Sequence, residues 1–368
     1  MHRVVLIAGD GIGPEVTRAA REVIDASGAQ IAWEPGLAGL DAQREFGTPL
    51  PPELVQAISR IGVALKGPTA TPFGGAYRVV VEKSAARGER QSYPSVTVAL
   101  RSELGLFVNM RPAKIYPGIK TRFSGVDLLI FRENTEDLYL GIERMRDRDT
   151  AEATKRITRE ASRRVAEFAL ETMRRLGRKR LTVVHKANIL KLTDGLFLET
   201  ALAAAQRYPD LSIDQRVVDA LCADLVTRPE TYDCLLLPNL YGDIVSDLAA
   251  GLVGGLGIAP GANLGPGCAE FEPVHGTAPD IAGKDRANPT AMILSGAIML
   301  RHLGEHRAAA AIETALSRVL AEGRFVTPDL GGSSGTLRMT EAIIEQLAIG
   351  RSSNRTPEMT SRPGPQLG

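Results

Sequence analysis

The stretch CLLLPNLYGDIVSDLAAGLVGGLGIAPGANL, residues 234–264, decides the reading of the chain. Four apolar residues, Cys234 to Leu237, are too few for a helix and read as a short buried strand. A polar segment, PNLYGDIVSD, follows at once. Inside it Asp243 and Asp247 stand four apart, so on a helix they share one face. Two carboxylates so placed repel unless water or a hard cation separates them, and Mg²⁺ and Mn²⁺ prefer oxygen ligands. The weakly polar run from Leu248 to Leu264 is interrupted by glycines and Pro260, so it fails the requirement of about 20 continuous apolar residues for crossing a bilayer.

The same alternation recurs outward. Val4 to Ala8 runs into GDGIGPE, Asp127 to Phe131 into RENTED, and Leu181 to Val184 into HKAN. Between such runs lie segments of helical period, as in Ile157, Ala161, Val165, Phe168, Thr172 and Leu176. Strands alternating with helices predict an α/β chain. Ligands of open α/β sheets gather beyond the carboxyl ends of strands, which is where each polar segment falls.

Composition narrows the partners. The 368 residues carry 44 Lys+Arg against 43 Asp+Glu, a net charge of +1, so the cationic surplus of a nucleic-acid binder is missing. An apolar fraction of 44% with 24% charged residues supports a sizeable core, and the length suits roughly two domains. Cys222, Cys234 and Cys268 form no CxxC pair, and the apolar run at Val4 is too short for an export signal. A soluble protein in the reducing cytoplasm, without a membrane partner, is expected. The segment RSSNRTPEMTSRPGPQLG, 351–368, has no apolar period and is expected to be disordered.

Taken singly, the candidate residues are ambiguous. Gly9, Gly11 and Gly13 follow a strand, but the sixth place of a dinucleotide fingerprint is Pro14, so a tight turn explains them as well. Arg101, Arg111 and Arg132 suit bidentate capture of carboxylates, or ordinary ion pairs. Tyr139 and Lys186 are candidate acid–base groups. Asp219 is a candidate third metal ligand or a helix N-cap. His185 and His275 have no second ligand at metal spacing, which favours structural hydrogen bonding.

In order, GDGIGPEV, KGPTATP, VALRSELGLFVNMRP, FRENTEDLYLGIE, HKANILKLTDGLF, PNLYGDIVSDLAAGLVGGLGIAPGANLG and FEPVHGTAPDIAGKDRANPTA resemble the metal-dependent β-decarboxylating dehydrogenases. That family includes isocitrate, homoisocitrate and 3-isopropylmalate dehydrogenases. The resemblance spans about Val4 to Leu347, and it implies a two-domain α/β fold without the usual Rossmann fingerprint. The large, cofactor-binding domain would comprise 1–106 and 254–350, and the small domain 107–253, with a dimer interface and a clasp near 137–158. A homodimer with shared active sites is implied.

By the same resemblance, Arg101, Arg111 and Arg132 would clamp the carboxylates of a small hydroxy acid, with Ser95, Thr97 and Asn188 also on the substrate. Asp243 and Asp247, with Asp219 from the partner, would hold Mg²⁺ or Mn²⁺. Lys186, also from the partner, would take the hydroxyl proton, and Tyr139 would protonate the enol carbon. NAD would lie along Thr71, Glu272, His275, Gly276, Ala278, Asp280 and Asn288. Asp280 favours NAD, because a carboxylate accepts from ribose hydroxyls and opposes a 2′-phosphate.

Departures from the pattern bear on the substrate. In isocitrate enzymes an uninterrupted GGGxRSLNVALR follows the KGP segment. Here Val79 to Pro94 intervene, Ser95 keeps the serine and Thr97 replaces the asparagine. The leucines and glutamate of isopropylmalate enzymes are absent at Thr97, Val98 and Pro94. The intervening segment brings Lys83, Arg87 and Arg90 towards the pocket mouth, as a lid over the substrate's distal group or as a plain solvated loop. Isocitrate oxidation to 2-oxoglutarate leads. Homoisocitrate, a phosphonate analogue and then 3-isopropylmalate follow, and a non-catalytic regulatory subunit is disfavoured by the presence of every catalytic residue type.

Overall fold

A computed structural model describes residues 1–72, 77–84 and 89–353 of the chain. Its strands are β1 (His2–Ile7), β2 (Ile31–Gly36), β3 (Val63–Lys66), β4 (Val79–Ser84), β5 (Glu89–Tyr93), β6 (Val108–Lys114) and β7 (Asp127–Glu133). They continue with β8 (Glu143–Met145), β9 (Ala151–Ala153), β10 (Arg180–His185), β11 (Ser212–Val217), β12 (Cys234–Leu237), β13 (Pro260–Leu264) and β14 (Ala269–Pro273). The α-helices are α1 (Gly13–Ser27), α2 (Leu40–Phe46), α3 (Pro52–Ile61), α4 (Val96–Glu103), α5 (Arg159–Leu176) and α6 (Thr193–Ala205). The last five are α7 (Val218–Leu225), α8 (Asn239–Val253), α9 (Thr290–His302), α10 (His306–Glu322) and α11 (Thr336–Ser353).

Ten strands form one sheet in the order β11-β10-β12-β7-β6-β13-β14-β3-β1-β2. At one end β11, β10, β12 and β7 are mutually parallel, and at the other β14, β3, β1 and β2 are. β6 and β13 lie between them, and each of the steps β7 to β6, β6 to β13 and β13 to β14 is antiparallel. The two parallel blocks therefore run in opposite directions, and they meet at this antiparallel seam.

Helices cover both faces of each block, as parallel strands require. α1, α9, α10 and α11 enclose one apolar cluster with Val4, Leu65 and Phe271, while Val5, Ile7 and Ala64 point to the opposite face with Leu54, Ile58 and Leu100. In the other block, α5 and α6 pack on Leu129, Phe131, Val183 and Leu236, and α7 and α8 on Ile130, Val184, Leu235 and Leu237. The helical period forms α5 from Arg159 to Leu176, with Ile157 just before the cap; the helix is started by the Thr158 hydroxyl accepting from Ala161 N at 3.2 Å and ended by Gly177 at φ 71°. No described helix is long and apolar enough to cross a membrane. α11 reaches Ser353, three residues into the tail expected to be unstructured, and 354–368 lie outside the described residues.

Candidate active site

The arginines and the acid pair converge on the seam. Arg132, next to last in β7, is 1% exposed and gives Nε and Nη2 to Asn239 Oδ1 at 3.0 and 2.7 Å. Its Nη1 pairs with Asp243. Arg111, on β6, donates Nη1 to Ser246 Oγ at 2.6 Å and Asp247 Oδ1 at 3.2 Å, and lies 3.5 Å from Asp243. Asp243, Ser246 and Asp247 occupy one face of α8, as their spacing dictates. Gly242 lets that helix approach: a Cβ there would sit 2.5 Å from Arg132 Cγ. The guanidiniums are buried while the two carboxylates are partly open to solvent, so these ion pairs orient the arginines with their charge partly screened.

Arg101, Arg111 and Arg132 lie close enough to repel one another. Burial first, then Arg101, push Arg132 down to about 10, and Arg111 is lowered in the same way. Burial opposes ionisation of Asp243, but Arg132 and Arg111 outweigh it and hold the carboxyl below its usual range. Asp247 is raised, by burial and by Asp243. The Tyr139 hydroxyl donates to Asp243, and the Arg132 guanidinium sits 4.8 Å from the centre of its ring. Burial and Asp243 raise the phenol, which keeps its proton at neutral pH. Tyr139 lies on a short turn entered by Asp137 at φ 73°, a conformation disfavoured outside glycine and held here by Leu138 N and Leu240 N on the Asp137 carboxylate.

Behind Arg101 lies a buried charge cluster. Arg101 Nη2 donates to Glu272 Oε1 at 3.0 Å, Lys66 Nζ reaches Glu272 Oε2 at 2.7 Å, and Asn263 Nδ2 reaches Glu272 Oε1 at 2.7 Å. Glu270, two residues back on the same face of β14, has weaker company: Lys66 at 3.6 Å and Asn263 at 3.4 Å. Glu272, expected along the cofactor, is thus held by Lys66, Arg101 and Asn263. Burial and Glu272 push Glu270 up to about 7, whereas Lys66 and Arg101 overcome burial and hold Glu272 well below the usual range. Asn239, Ser246, Lys66, Asn263 and Glu270 were not singled out by the sequence, although the alternation Glu270-Phe271-Glu272 already placed two acids on one side of a strand.

A second group stands apart. Lys186, just past β10, pairs with Asp219, which is exposed, and Asn188 is exposed nearby. The N-cap of α7 is Val217, so Asp219 occupies the first turn rather than the cap. Among the described residues no three carboxylate, His or Cys side chains form a cation cluster, so Asp219 does not join Asp243 and Asp247 within one chain. His185 is buried, with Nδ1 accepting from Ala187 N at 3.0 Å, the structural role expected of it.

Of the residues expected along the cofactor, His275, Gly276, Ala278, Asp280 and Asn288 lie on the loop from Val274 to Asn288. It abuts the glycine loop: Ile12 N donates to Thr277 O at 2.9 Å, and a Cβ on Gly11 would lie 2.1 Å from that oxygen. Close backbone approach therefore explains the glycines. Asp10 orders the same region by accepting from Leu40 N at 2.8 Å and Ala70 N at 2.7 Å. Asn288 donates to Asp329 at 2.9 Å, Ala278 takes φ 36°, and Gly276, Asp280 and Thr71 are exposed. His275 Nε2 is buried without a partner, which suits a loop able to receive the polar edge of a dinucleotide.

Ser95 caps α4 by accepting from Val98 N at 3.1 Å, and the Thr97 hydroxyl lies 3.4 Å from that of Thr69. The interposed segment is a hairpin, β4 with β5, anchored by buried Val79, Val81 and Tyr93 in the cluster of Leu54 and Leu100. Arg90 pairs with Glu82 of the same hairpin at 3.1 Å, an exposed contact. Arg87 and the side chain of Lys83 lie outside the described residues.

A family profile described as isocitrate/isopropylmalate dehydrogenase matches residues 3–347. NAD isocitrate dehydrogenase catalytic subunit 5, mitochondrial, of Arabidopsis thaliana is 45% identical over 93% of this chain and 87% of its own. A mitochondrial NAD isocitrate dehydrogenase regulatory subunit of Dictyostelium discoideum is 43% identical over 94% and 92%. The crystal structure of isocitrate dehydrogenase from Methylococcus capsulatus superposes with a TM-score of 0.88 at 48% identity, covering 94% of this chain and 99% of that one. The fold and the relatives define an NAD-dependent β-decarboxylating dehydrogenase. The chain belongs to the isocitrate/isopropylmalate dehydrogenase family.

Proposed function

We propose that the protein oxidises isocitrate with NAD and releases CO₂ to give 2-oxoglutarate. The observation that carries this reading is the convergence of Arg101, Arg111 and Arg132 beside the Asp243–Asp247 face and the Tyr139 hydroxyl. Arg101 Nε and Arg111 Nε are buried without partners, so the guanidiniums keep donors for an anion of several carboxylates, and a hydroxy tricarboxylate supplies it.

In this reading the arginines orient the carboxylates, aided by Ser95, Thr97 and Asn188. The partner subunit's Lys186 accepts the hydroxyl proton as hydride leaves the same carbon for NAD, giving a 2-oxo acid. Loss of CO₂ leaves the bond's electron pair as an enolate, and Tyr139 delivers its proton to the carbon. Asp243 and Asp247 are hard oxygen donors on one helix face and suit Mg²⁺ or Mn²⁺, with the partner's Asp219 as a further ligand. The bound ion would supply a Lewis acid for both the oxidation and the decarboxylation.

Thr71, His275, Gly276, Ala278, Asp280 and Asn288 would receive NAD. Residues 1–106 with 254–350, and 107–253, are proposed as the two domains, supported by the two parallel blocks meeting at the seam. The β8–β9 hairpin would act as a clasp within a homodimer in the cytoplasm. A second reading, homoisocitrate or a phosphonate analogue, is favoured by Thr97, whose hydroxyl cannot offer an amide's paired donor and acceptor. Presence of Tyr139, Lys186 and the three aspartates supports a catalytic rather than a regulatory subunit. NADH absorbance with isocitrate, homoisocitrate, a phosphonate analogue and 3-isopropylmalate, each with Mg²⁺ or Mn²⁺, tests the reading. Fastest turnover of isocitrate is expected, and silence with every acid would overturn it.

A further inference from the structure

One buried carboxyl, that of Glu270, has no part in that mechanism. Glu270 of β14, Asn263 of β13, Asn109 of β6 and Arg132 of β7 occupy a single register row across the seam, so their side chains share one face of the sheet. All four are essentially inaccessible to solvent. Asn263 binds both glutamates and accepts from Asn109 at 2.8 Å and from Asn134 at 3.1 Å, which fixes its amide.

The charged groups facing Glu270 are Lys66 from β3, Glu272 from its own strand and Arg101 from α4. Counted as ions, the four balance. The balance is uneven in space, because Glu272 takes the near contacts of both cations while Glu270 keeps one cation at 3.6 Å and an oxygen, Oε1, with no hydrogen bond. Arg101 is also the link to the site. Its Nη2 holds Glu272, and its Nε has no partner within the protein.

We propose that Glu270 is a positioning residue for Arg101, acting through Lys66 and Glu272, and that it binds a proton when the carboxylate of an acid substrate lands on Arg101. The inference rests on the proposed role of Arg101. An incoming carboxylate offsets the positive charge that Glu270 and Glu272 share, leaving Lys66 between two anions in a medium where charge is poorly screened. Protonating the less well-held acid relieves this, and Glu272 stays ionised to keep Arg101 pointed at the substrate. The one bond formed is the carboxyl O–H, with the proton drawn from the buffer. The raised affinity of Glu270 for protons places the event near neutral pH.

The test compares the full-length protein with Glu270→Gln, which has the shape of the protonated acid and none of its titration. Isocitrate binding in the presence of Mg²⁺ is followed by calorimetry near neutral pH in two buffers of different ionisation enthalpy. Wild type should take up roughly half a proton more than the variant, and its Kd should weaken about threefold or more, relative to the variant, as pH rises by about one and a half units through neutrality. Equal proton numbers with parallel Kd curves overturn the proposal.

A measurement without ligand guards against a folding defect. A carboxyl with raised proton affinity costs the native state stability progressively above the ordinary carboxylate pKa, until pH passes its folded value. The Tm of Glu270→Gln should therefore gain on wild type between mildly acidic and mildly alkaline pH, and a constant gap contradicts the proposal. If isocitrate gives neither binding heat nor NADH, it is the functional reading that has failed. The two-buffer measurement with whichever acid turns over then decides the proton question.

Discussion

Asp243 and Asp219 are proposed to hold the same metal ion, yet their surroundings could hardly differ more. Asp243 lies on a helix pressed against the seam at Gly242, and two guanidiniums and a tyrosine hydroxyl contact its carboxylate. Asp219 stands exposed in the first turn of α7, and its side-chain partner is Lys186. One half of the site is built into the fold. The other half is displayed at its surface, where a second chain can use it.

The largest effects should come from the built half. Asp243→Asn should lower kcat by roughly 10³-fold or more, since it removes a metal ligand and one of the charges that organise Arg111 and Arg132. EDTA should do the same to wild type, while circular dichroism stays unchanged in both. Activity that survives both treatments contradicts the metal assignment. Asp219→Asn should be nearly as damaging to turnover, yet leave Tm where it was, because an exposed ion pair contributes little to stability. A large fall in Tm would erase the contrast between the two aspartates.

Tyr139→Phe should come next, at roughly 10²-fold in kcat, the scale of a lost general acid. Direct assay should place the loss after hydride transfer, with NADH formed in the first turnover and slow release of decarboxylated product. If NADH formation slows equally, Tyr139 serves the oxidation instead. Cofactor choice should show a comparable or smaller effect: NAD over NADP by roughly a hundredfold in kcat/KM, falling to about tenfold in Asp280→Asn as the charge beside the ribose is removed. Equal use of both cofactors by wild type contradicts the role of Asp280. Gly242→Ala should be the mildest, destabilising by about 1–3 kcal/mol as the new methyl forces Arg132 aside.

The contrast also explains what could be read before the structure. Short apolar runs such as Cys234 to Leu237 became strands at the residues expected, because four buried residues between polar neighbours leave little freedom in where a strand lies. Asp243 and Asp247 share a helix face by periodicity alone. Other features depend on which strands become neighbours. The row of Glu270, Asn263, Asn109 and Arg132 joins residues from four strands, and the Arg101–Glu272 contact closes over 171 residues of chain. Nothing local announces such pairings. The hairpin from Val79 is another such case: its basic residues were visible in the sequence, but the buried face of Val79, Val81 and Tyr93 that ties it to the core packs on residues far along the chain.

Mixing two inactive variants tests the shared site most directly. Asp243→Asn and Asp219→Asn, each without activity, are unfolded together, refolded and assayed for isocitrate-dependent NADH formation. In a random mixture of dimers with shared sites, each mixed dimer contains one site with both aspartates intact, so about one quarter of wild-type activity should return. If each site is complete within one chain, every site carries a substitution, and mixing would restore nothing.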